Sequence, residues 1–417
     1  MRLRRMLAVW AAKLTEKISV HIFHRQGVTW AGKIALQICP SILKELAGQV
    51  KKDIYIVCGT NGKTTTNNML CAALQKEGYR VVCNHTGSNM LNGVVAAFVL
   101  SAGIGGNLKA DYACIEVDEA STRRVFPHFK PDYMVLTNLF RDQLDRYGEI
   151  DITMNILKEV MQSAPKMKVI DDKDSREIRE GRFCKQCGEP LKYHFYHYSQ
   201  LGDYECTGCD FKRPKIQYDA SEIEVGDHLS FTVEGRRIRA NYRGFYNVYN
   251  ILAAYAAART GGLELTGFNE MLAAFNPENG RMEQFQIQDT KIMLNLAKNP
   301  AGFNQNISAV MQDEKEKDIM IVINDNAQDG IDVSWLWDVD FDRFKDANIH
   351  SVTVSGIRCY DMGLRLKYVE IPSKVETDVE TAIRERVKNG CGNLYLLVNY
   401  TALFSTRNVL KKMEVEK

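Results

Sequence analysis

The stretch IYIVCGTNGKTTTNNML, residues 54–70, decides the fold class. Residues 54–57 form a β-branched and aromatic run, Gly59 and Gly62 punctuate the next few positions, and from Thr66 onward the pattern is helical. Strand, tight loop and helix N-terminus in that order present backbone N–H groups and a positive dipole end to an anion. Lys63 adds a charge that reaches a terminal phosphate, and Thr64 or Thr65 offers a hydroxyl for Mg²⁺. The spacing is GxxGKT, because Val57 stands where the longer GxxxxGK[ST] pattern has its outer glycine. An ordinary βα turn that happens to carry a lysine is the plain alternative. The strand and helix context favours a nucleotide-phosphate loop made of Gly59, Thr60, Asn61, Gly62, Lys63, Thr64 and Thr65.

Beyond the loop, residues 81–83, 113–117 and 133–137 are short β-type runs separated by helical stretches, which predicts a mainly parallel sheet covered by helices on both faces. In such sheets ligands gather at the carboxyl ends of the strands. The second run ends in CIEVDEAS, placing Glu116, Asp118 and Glu119 at a strand end, and the third ends in VLTNLFRDQLDRYGE. Either cluster alone reads as solvated charge. Two at successive strand ends beside a phosphate-type loop predict a metal and phosphate site. The segment 244–259, GFYNVYNILAAYAAAR, reads as a helix with Leu252, Tyr255 and Ala256 on its buried side. NPENGRME, 276–283, has linker composition, and the runs 291–296, 318–323, 349–354 and 393–398 alternate with helices as a second, smaller α/β domain.

Four of the eleven cysteines fall as Cys184-Lys-Gln-Cys187 and Cys206-Thr-Gly-Cys209 with 18 residues between the pairs. That is the four-thiolate ribbon spacing, in which each CxxC turn points two sulfurs at one tetrahedral ion. Zn²⁺ fits it, and a site closed by four protein ligands is structural rather than catalytic. The other seven cysteines are scattered in core-like contexts such as Val57-Cys58 and Ala113-Cys114-Ile115.

The 417-residue length calls for two or three domains, and 45% hydrophobic with 25% charged residues is soluble globular composition. A net charge of +2 argues against a nucleic-acid binder by bulk electrostatics. The balance is local: residues 1–50 hold eight Lys/Arg against Glu16 and Glu45, an excess of six. Leu7, Trp10, Ala11, Leu14 and Ile18 recur there at helical spacing with Lys13 and Lys17 between them. A basic amphipathic helix of this kind either lies on an anionic membrane or packs on its own protein. No run of 18 apolar residues exists to span a bilayer, and the apolar part is too short and too broken by charge for a signal peptide.

GTNGKTTT (59–66), TNLFRDQLDRYGE (137–149), YNVYNILAA (246–254), GRME (280–283) and NLAKNPAG (295–302), in that order, resemble the Mur ligase family from about residue 45 to the end. The four-cysteine ribbon, the lack of an N-terminal nucleotide-sugar domain and NDNAQDGIDVSWLWDVDF (324–341) resemble the ammonia-using branch of that family. Together with the charge pattern of the N-terminal end, the resemblance divides the chain into three parts. Residues 1–45 are a basic amphipathic segment. Residues 46–280 are the central ATP-binding domain with the ribbon inserted at about 180–215, and 281–417 are the C-terminal ligase domain. It implies that Lys63 and the backbone around Gly62 hold ATP phosphates, Thr64 and Glu116 bind Mg²⁺, Asn247 and Asn250 contact the adenine, and Arg281 contacts ATP from the domain junction. Two departures stand out: Asp142-Gln143-Leu144-Asp145 replaces the family's DHLD, and 295–300, NLAKNP, replaces DYAHNP.

The activity implied is amidation of the D-glutamate α-carboxylate of a lipid II stem peptide, through an acyl phosphate, with ammonia from a separate glutaminase subunit of the GatD type. Its implied place is the cytoplasm, at the inner face of the membrane. The chain carries no GxSxG- or GxCxG-like elbow, so the glutaminase nucleophile belongs on another chain. Asp332 in GIDVSW resembles the acid that completes the partner's Cys–His pair, and Trp335 and Trp337 beside it read as exposed residues suited to an interface; its simpler role is to cap a helix starting near Ser334. The competing expectations are a stand-alone Mur-type amino-acid ligase, of peptidoglycan-precursor or folylpolyglutamate type, and a zinc-ribbon nucleic-acid binder.

Overall fold

A computed structural model describes residues 2–21, 28–139, 150–171, 183–184, 186–198, 201–213, 215–226, 228–241, 244–275, 283–326, 328–346 and 348–415. The chain opens with α1 (Arg2–His21), α2 (Val28–Ile38) and α3 (Ile42–Ala47). It then alternates β1 (Ile54–Cys58), α4 (Lys63–Lys76), β2 (Val81–Cys83), α5 (Leu91–Ser101), β3 (Tyr112–Glu116), α6 (Thr122–Val125), β4 (Tyr133–Leu136), α7 (Ile150–Ser163) and β5 (Lys168–Asp171). The five strands pair in the order β2-β3-β1-β4-β5, parallel throughout. β1 and β3 are buried along their whole length, as strands covered on both faces must be. With β3 on one side of β1 and β4 on the other, the chain crosses in opposite directions from β1. The crevice outside its carboxyl end is where a doubly wound sheet binds ligands.

The N-terminal segment does not stand apart. Ala8, Val9 and Ala12 of α1 join Ala31, Ala35, Ile42, Leu43 and Leu46 in the apolar core under one face of this sheet. The opposite face is covered by α4, by the antiparallel sheet β8 (Ser221–Val225), β9 (Leu229–Val233) and β10 (Arg236–Ala240), and by α8 (Tyr246–Thr260) and α9 (Phe268–Ala274). Tyr255 and Ala256 are buried as expected but Leu252 is only half-buried, and burial runs round α8 to include Val248, Ile251, Ala254 and Ala258. A helix inserted between layers is apolar on every side and has no single face for periodicity to select. Between these parts lies the antiparallel hairpin β6 (Leu191–Tyr198) and β7 (Leu201–Cys206), a two-stranded sheet of its own with a further bridge from Glu205 to Lys212.

The second domain is a six-stranded sheet in the order β11-β12-β16-β13-β14-β15. Its elements are β11 (Glu283–Ile287), β12 (Thr290–Leu296), α10 (Pro300–Met311), β13 (Lys317–Val322), β14 (Ile349–Ser355), α11 (Cys359–Tyr368), β15 (Lys374–Val375), α12 (Val379–Asn389), β16 (Asn393–Val398) and α13 (Tyr400–Val415). The β11–β12 hairpin is antiparallel and the rest is parallel. Ile319 and Ile321 of β13 enter one core while Met320 and Val322 enter the other, so the sheet is packed on both faces. The linker expected at 276–283 lies outside the described residues except for Glu283, where β11 begins.

Candidate active site

Gly59 and Gly62 take φ of +124° and +83°, a region that side-chain-bearing residues rarely adopt. A Cβ on Gly59 would stand 2.3 Å from Thr137 Oγ1, and one on Gly62 2.2 Å from Asn250 Oδ1. The loop is therefore pressed between the end of β4 and α8. From the β4 side, Asn61 N–H donates to Asn138 Oδ1 at 2.9 Å, and Asn61 O accepts from Thr137 Oγ1 at 2.7 Å and Asn138 Nδ2 at 2.9 Å. From α8, Asn250 lies 3.5 Å from Thr66 Oγ1 and donates through Nδ2 to Asn247 Oδ1 at 3.1 Å. Both asparagines are buried, Asn250 directly against the loop. α4 starts at Lys63, so its dipole and first amides open into this cradle.

Lys63 is buried, and its ammonium donates to Glu119 Oε1 at 3.0 Å and to the Gly59 carbonyl. Burial opposes the charge, but Glu119, Glu116 and Asp118 outweigh it and hold the Lys63 pKa above its ordinary value. Glu119 also accepts from Gly59 N–H at 2.7 Å; burial pushes its carboxyl up and Lys63 pulls it back. The acidic strand end seen in the sequence is thus the counter-charge of the loop lysine. Lys63→Met is expected to leave Glu119 without its counter-charge, and Lys63→Met/Glu119→Gln to restore neutrality.

Glu116 has a different environment. Asn89 Nδ2 donates to its Oε1 at 2.9 Å, Asn84 brackets its backbone at 2.8 Å on both the N–H and carbonyl sides, and its Oε2 is buried with no hydrogen-bond partner. The point where a Cβ on Gly87 would stand is 3.5 Å from that bare oxygen and 3.3 Å from Thr64 Oγ1. A hydroxyl and an unsatisfied carboxylate oxygen facing the same point beside Gly87 form a hard-oxygen pair that fits Mg²⁺. Thr65 is buried, which favours Thr64 for the role. The fit of the loop to nucleotide phosphates rests on the glycine cradle and the buried lysine.

The second domain reaches this loop. Asn299 caps α10 by accepting from Gly302 N–H at 2.8 Å, and exchanges amide hydrogen bonds with Asn61 at 3.1 and 3.3 Å. In the NLAKNP stretch, which departs from the family pattern, Asn299 is the residue that joins the two domains at the phosphate loop. Pro300 at the first helical position suits that cap; the reach of Asn299 across the chain is set by the fold. Also invisible in the sequence were Asn84 and Asn89 as holders of Glu116. Arg281 and 142–145 lie outside the described residues.

The four ribbon sulfurs lie within 4.8 Å of one another, with Cys184 to Cys209 at 3.5 Å and Cys187 to Cys206 at 3.4 Å. Gln186 N–H points at Cys184 Sγ at 3.4 Å and Gly208 N–H at Cys206 Sγ at 3.3 Å, so the two CxxC turns are built alike, each aiming an amide two residues on at its first sulfur. Such amides favour thiolates, and four sulfurs about 2.3 Å from one centre would sit at the spacing seen here. The set fits Zn²⁺ at the base of the β6–β7 hairpin. Of the other cysteines, Cys71 and Cys83 are not scattered: with His85 they form a group whose ligand atoms lie within 4.8 Å. The Cys83 contact, then His85, hold the Cys71 thiol below its ordinary value despite burial. They sit on α4 and at the end of β2, neighbours in space but not in sequence.

Asp332 stands in a braced loop beyond β13. Asn324 and Asn399 exchange hydrogen bonds at 2.6 and 3.1 Å, Arg358 pairs with Asp325 at 2.9 Å, and Asp329 accepts from Thr401 N–H at 2.8 Å. Asp332 itself accepts from Ser334 N–H at 2.8 Å and Ser334 Oγ at 2.9 Å, at the head of a 3₁₀ turn over Ser334–Asp338. Trp337 is exposed, in edge contact with Tyr368 at 5.1 Å; Trp335 is half-buried against Phe303 rather than exposed as expected, because the tight turn points it inward.

A doubly wound sheet whose glycine loop holds a lysine among strand-end carboxylates, joined at that loop to a second α/β domain, defines a Mur-type P-loop ligase architecture. Residues 57–258 match the Mur ligase middle domain and residues 296–403 the MurT ligase C-terminal domain. The subunit MurT of lipid II isoglutaminyl synthase (glutamine-hydrolyzing) from Staphylococcus aureus strain COL is 35% identical over 429 residues, covering 96% of both chains; that of Streptococcus pneumoniae R6 is 32% identical, covering 94% of both. The chain belongs to the MurT family of Mur ligase-type proteins. Among solved structures, a type C pseudomurein peptide ligase from Methanothermus fervidus superposes with a TM-score of 0.67 at 23% identity over 88% of this chain and 80% of that one. MurF from Acinetobacter baumannii superposes with 0.63 at 16% identity over 92% and 81%. These share the fold.

Proposed function

We propose that the chain is the synthetase subunit of a glutamine-hydrolysing amidotransferase that converts the D-glutamate α-carboxylate of a lipid II stem peptide to D-isoglutamine. The observation that carries the ligase half is the buried Lys63 poised on Glu119 beside the bare Glu116 oxygen. Mur ligases use ATP and Mg²⁺. The substrate carboxylate attacks the terminal phosphorus, ADP leaves, ammonia attacks the acyl carbon of the resulting acyl phosphate, and phosphate departs with the original carboxylate oxygen and one proton from the nitrogen. Lys63 exchanges Glu119 for the transferring phosphoryl group and neutralises charge there; the loop amides fix its position. Thr64 and Glu116 are the ligands offered to Mg²⁺, which when bound shields the phosphate oxygens. Asn247 and Asn250 form the adenine-side wall, and Arg281 completes the nucleotide site from the junction. Cys184, Cys187, Cys206 and Cys209 hold one structural Zn²⁺.

The division follows the sequence: 1–45 is the basic N-terminal segment, 46–280 the ATP-binding domain with its ribbon at about 180–215, and 281–417 the ligase domain. The nitrogen supplier is a GatD-type glutaminase, docked where Asp332 emerges. Beside that loop, α11 turns Tyr360, Leu364 and Tyr368 outward at i, i+4 and i+8, with Ile331 and Trp337 adding to an exposed apolar face around Asp332. No helix among the described residues is long and apolar enough to cross a membrane. The chain works in the cytoplasm against the inner membrane face. Co-purification tests the partner: a small glutaminase-like protein should be captured by the wild-type chain and lost on Tyr360→Glu/Tyr368→Glu, and equal capture by the variant would contradict the assigned face.

Two further outcomes are expected at the sites themselves. Cys184→Ser/Cys187→Ser should lower bound zinc from one ion per chain to none, with the hairpin opened to protease; an intact protein carrying neither zinc nor iron by metal analysis contradicts the ribbon assignment. Gly62→Ala should cost about 1–3 kcal/mol of stability from its left-handed φ and the Asn250 clash, and weaken nucleotide binding. Calorimetry of the variant with and without ATP reads both.

A further inference from the structure

α1 is packed with its large side chains outside. Ala8, Val9 and Ala12 make the contact with the domain core, while Leu3 (65% exposed), Leu7 (47%), Trp10 (47%), Leu14 (60%) and Ile18 (39%) stand in solvent. Their numbers, 3, 7, 10, 14 and 18, fall on one stripe running the length of the helix. Trp10 Nε1 donates to Ile104 O at 2.8 Å, and Ile104 is itself 69% exposed, so the apolar strip continues off the helix onto the loop after α5. Folding alone would place these side chains inward and the alanines outward. A continuous outward apolar strip of this size marks a contact surface.

We propose that this strip is a membrane-contact surface that lies in the headgroup region of an anionic phospholipid bilayer, about 30 Å of helix parallel to the plane. The inference rests on the proposed lipid-linked substrate. Charge complementarity selects the occupant. Exposed Arg2, Arg4 and Lys17 border the strip, and the first 50 residues carry an excess of six positive charges in a chain whose total is only +2. Trp10, with its indole N–H bonded and its ring exposed, has the amphipathic form enriched at membrane interfaces. A second copy pairing through the same strip would set these like charges against each other, and the exposed apolar face around Asp332 belongs to the other domain. The surface would hold the enzyme where a lipid-linked stem peptide is displayed.

The test uses the full chain, vesicles of phosphatidylcholine with 40 mol% phosphatidylglycerol, and vesicles of phosphatidylcholine alone, with flotation as the readout. Wild type should float with the anionic vesicles, lose that binding at high salt, and float with neutral vesicles at least about tenfold more weakly. Leu7→Ser/Trp10→Ser/Leu14→Ser should abolish flotation, and Arg2→Glu/Lys17→Glu should remove the preference for phosphatidylglycerol. Ammonium-driven amidation of detergent-dispersed substrate, measured in parallel, should be unchanged in both variants and shows that they fold. Wild type that floats with neither vesicle, or a triple variant that floats like wild type, overturns the proposal. So does light scattering that shows a wild-type dimer lost in the triple variant without any vesicle binding, which would make the strip a self-interface. Vesicle binding without wild-type amidation would leave the surface standing and overturn the proposed function instead.

Discussion

Lys63→Met is expected to abolish ATP-dependent amidation from both nitrogen sources, with at least the 10²–10³-fold loss, about 3–4 kcal/mol of barrier, typical of removing one preorganised charge-stabilising donor. Lys63 is buried in contact with Glu119, so the single change also strands a carboxylate in the interior. Stability and catalysis must therefore be separated. Lys63→Met/Glu119→Gln removes both charges and should recover most of the melting temperature while remaining inactive. An active double variant, or wild-type turnover in Lys63→Met with either glutamine or ammonium, would take the loop lysine out of the mechanism. Phosphate release and amidated product, assayed together, read the outcome.

Asp332→Asn is expected to separate the two nitrogen sources. An amide can neither stabilise an imidazolium nor select its tautomer, so glutamine hydrolysis by the complex should fall by an amount on the order of the 10⁴-fold that an Asp-to-Asn change costs in a comparable triad. Amidation driven by added ammonium should survive, because the phosphate loop is untouched. The structure gives this variant a mild structural consequence: the side-chain oxygen of asparagine still accepts from Ser334 N–H, so the turn over Ser334–Asp338 persists. Ser334→Ala, which removes only the hydroxyl partner, should leave hydrolysis intact and cost about 1 kcal/mol or less. Glutamate release at wild-type rate in Asp332→Asn, with ammonium-driven synthesis lost, would move Asp332 into the ligase site.

The two α/β domains and the phosphate loop were legible because their signals are local. A β run, two glycines and a lysine at fixed spacing need no distant partner to be recognised, and neither do paired CxxC turns. Lys63, Glu116 and Glu119 were each visible as residues, but the sequence does not say which acid meets the lysine. The fold decides that by placing the loop after β3 beside the loop after β1, so that Glu119 takes Lys63 and Glu116 keeps a bare oxygen. Asn299 and Asn61 are 238 residues apart and meet only because the second domain closes on the first. Periodicity marked α1 as amphipathic, yet its apolar stripe faces out, since the contact with the domain core is made by the smaller side chains of Ala8, Val9 and Ala12 while the leucines and Trp10 stand outside. Trp335 shows the same limit: composition placed it at a surface and the tight turn buried half of it.

Whether this chain joins ammonia or an amino acid to a carboxylate is decided by giving the purified chain ATP, Mg²⁺ and detergent-dispersed lipid II, and measuring phosphate release and product mass with ammonium chloride or with a panel of amino acids. Phosphate release should depend on ammonium, and the product should differ from the substrate by exchange of one carboxylate oxygen for an amide nitrogen. Amino-acid-dependent phosphate release with a product heavier by an amino-acid residue would make the chain a stand-alone Mur-type ligase and refute the amidotransferase assignment.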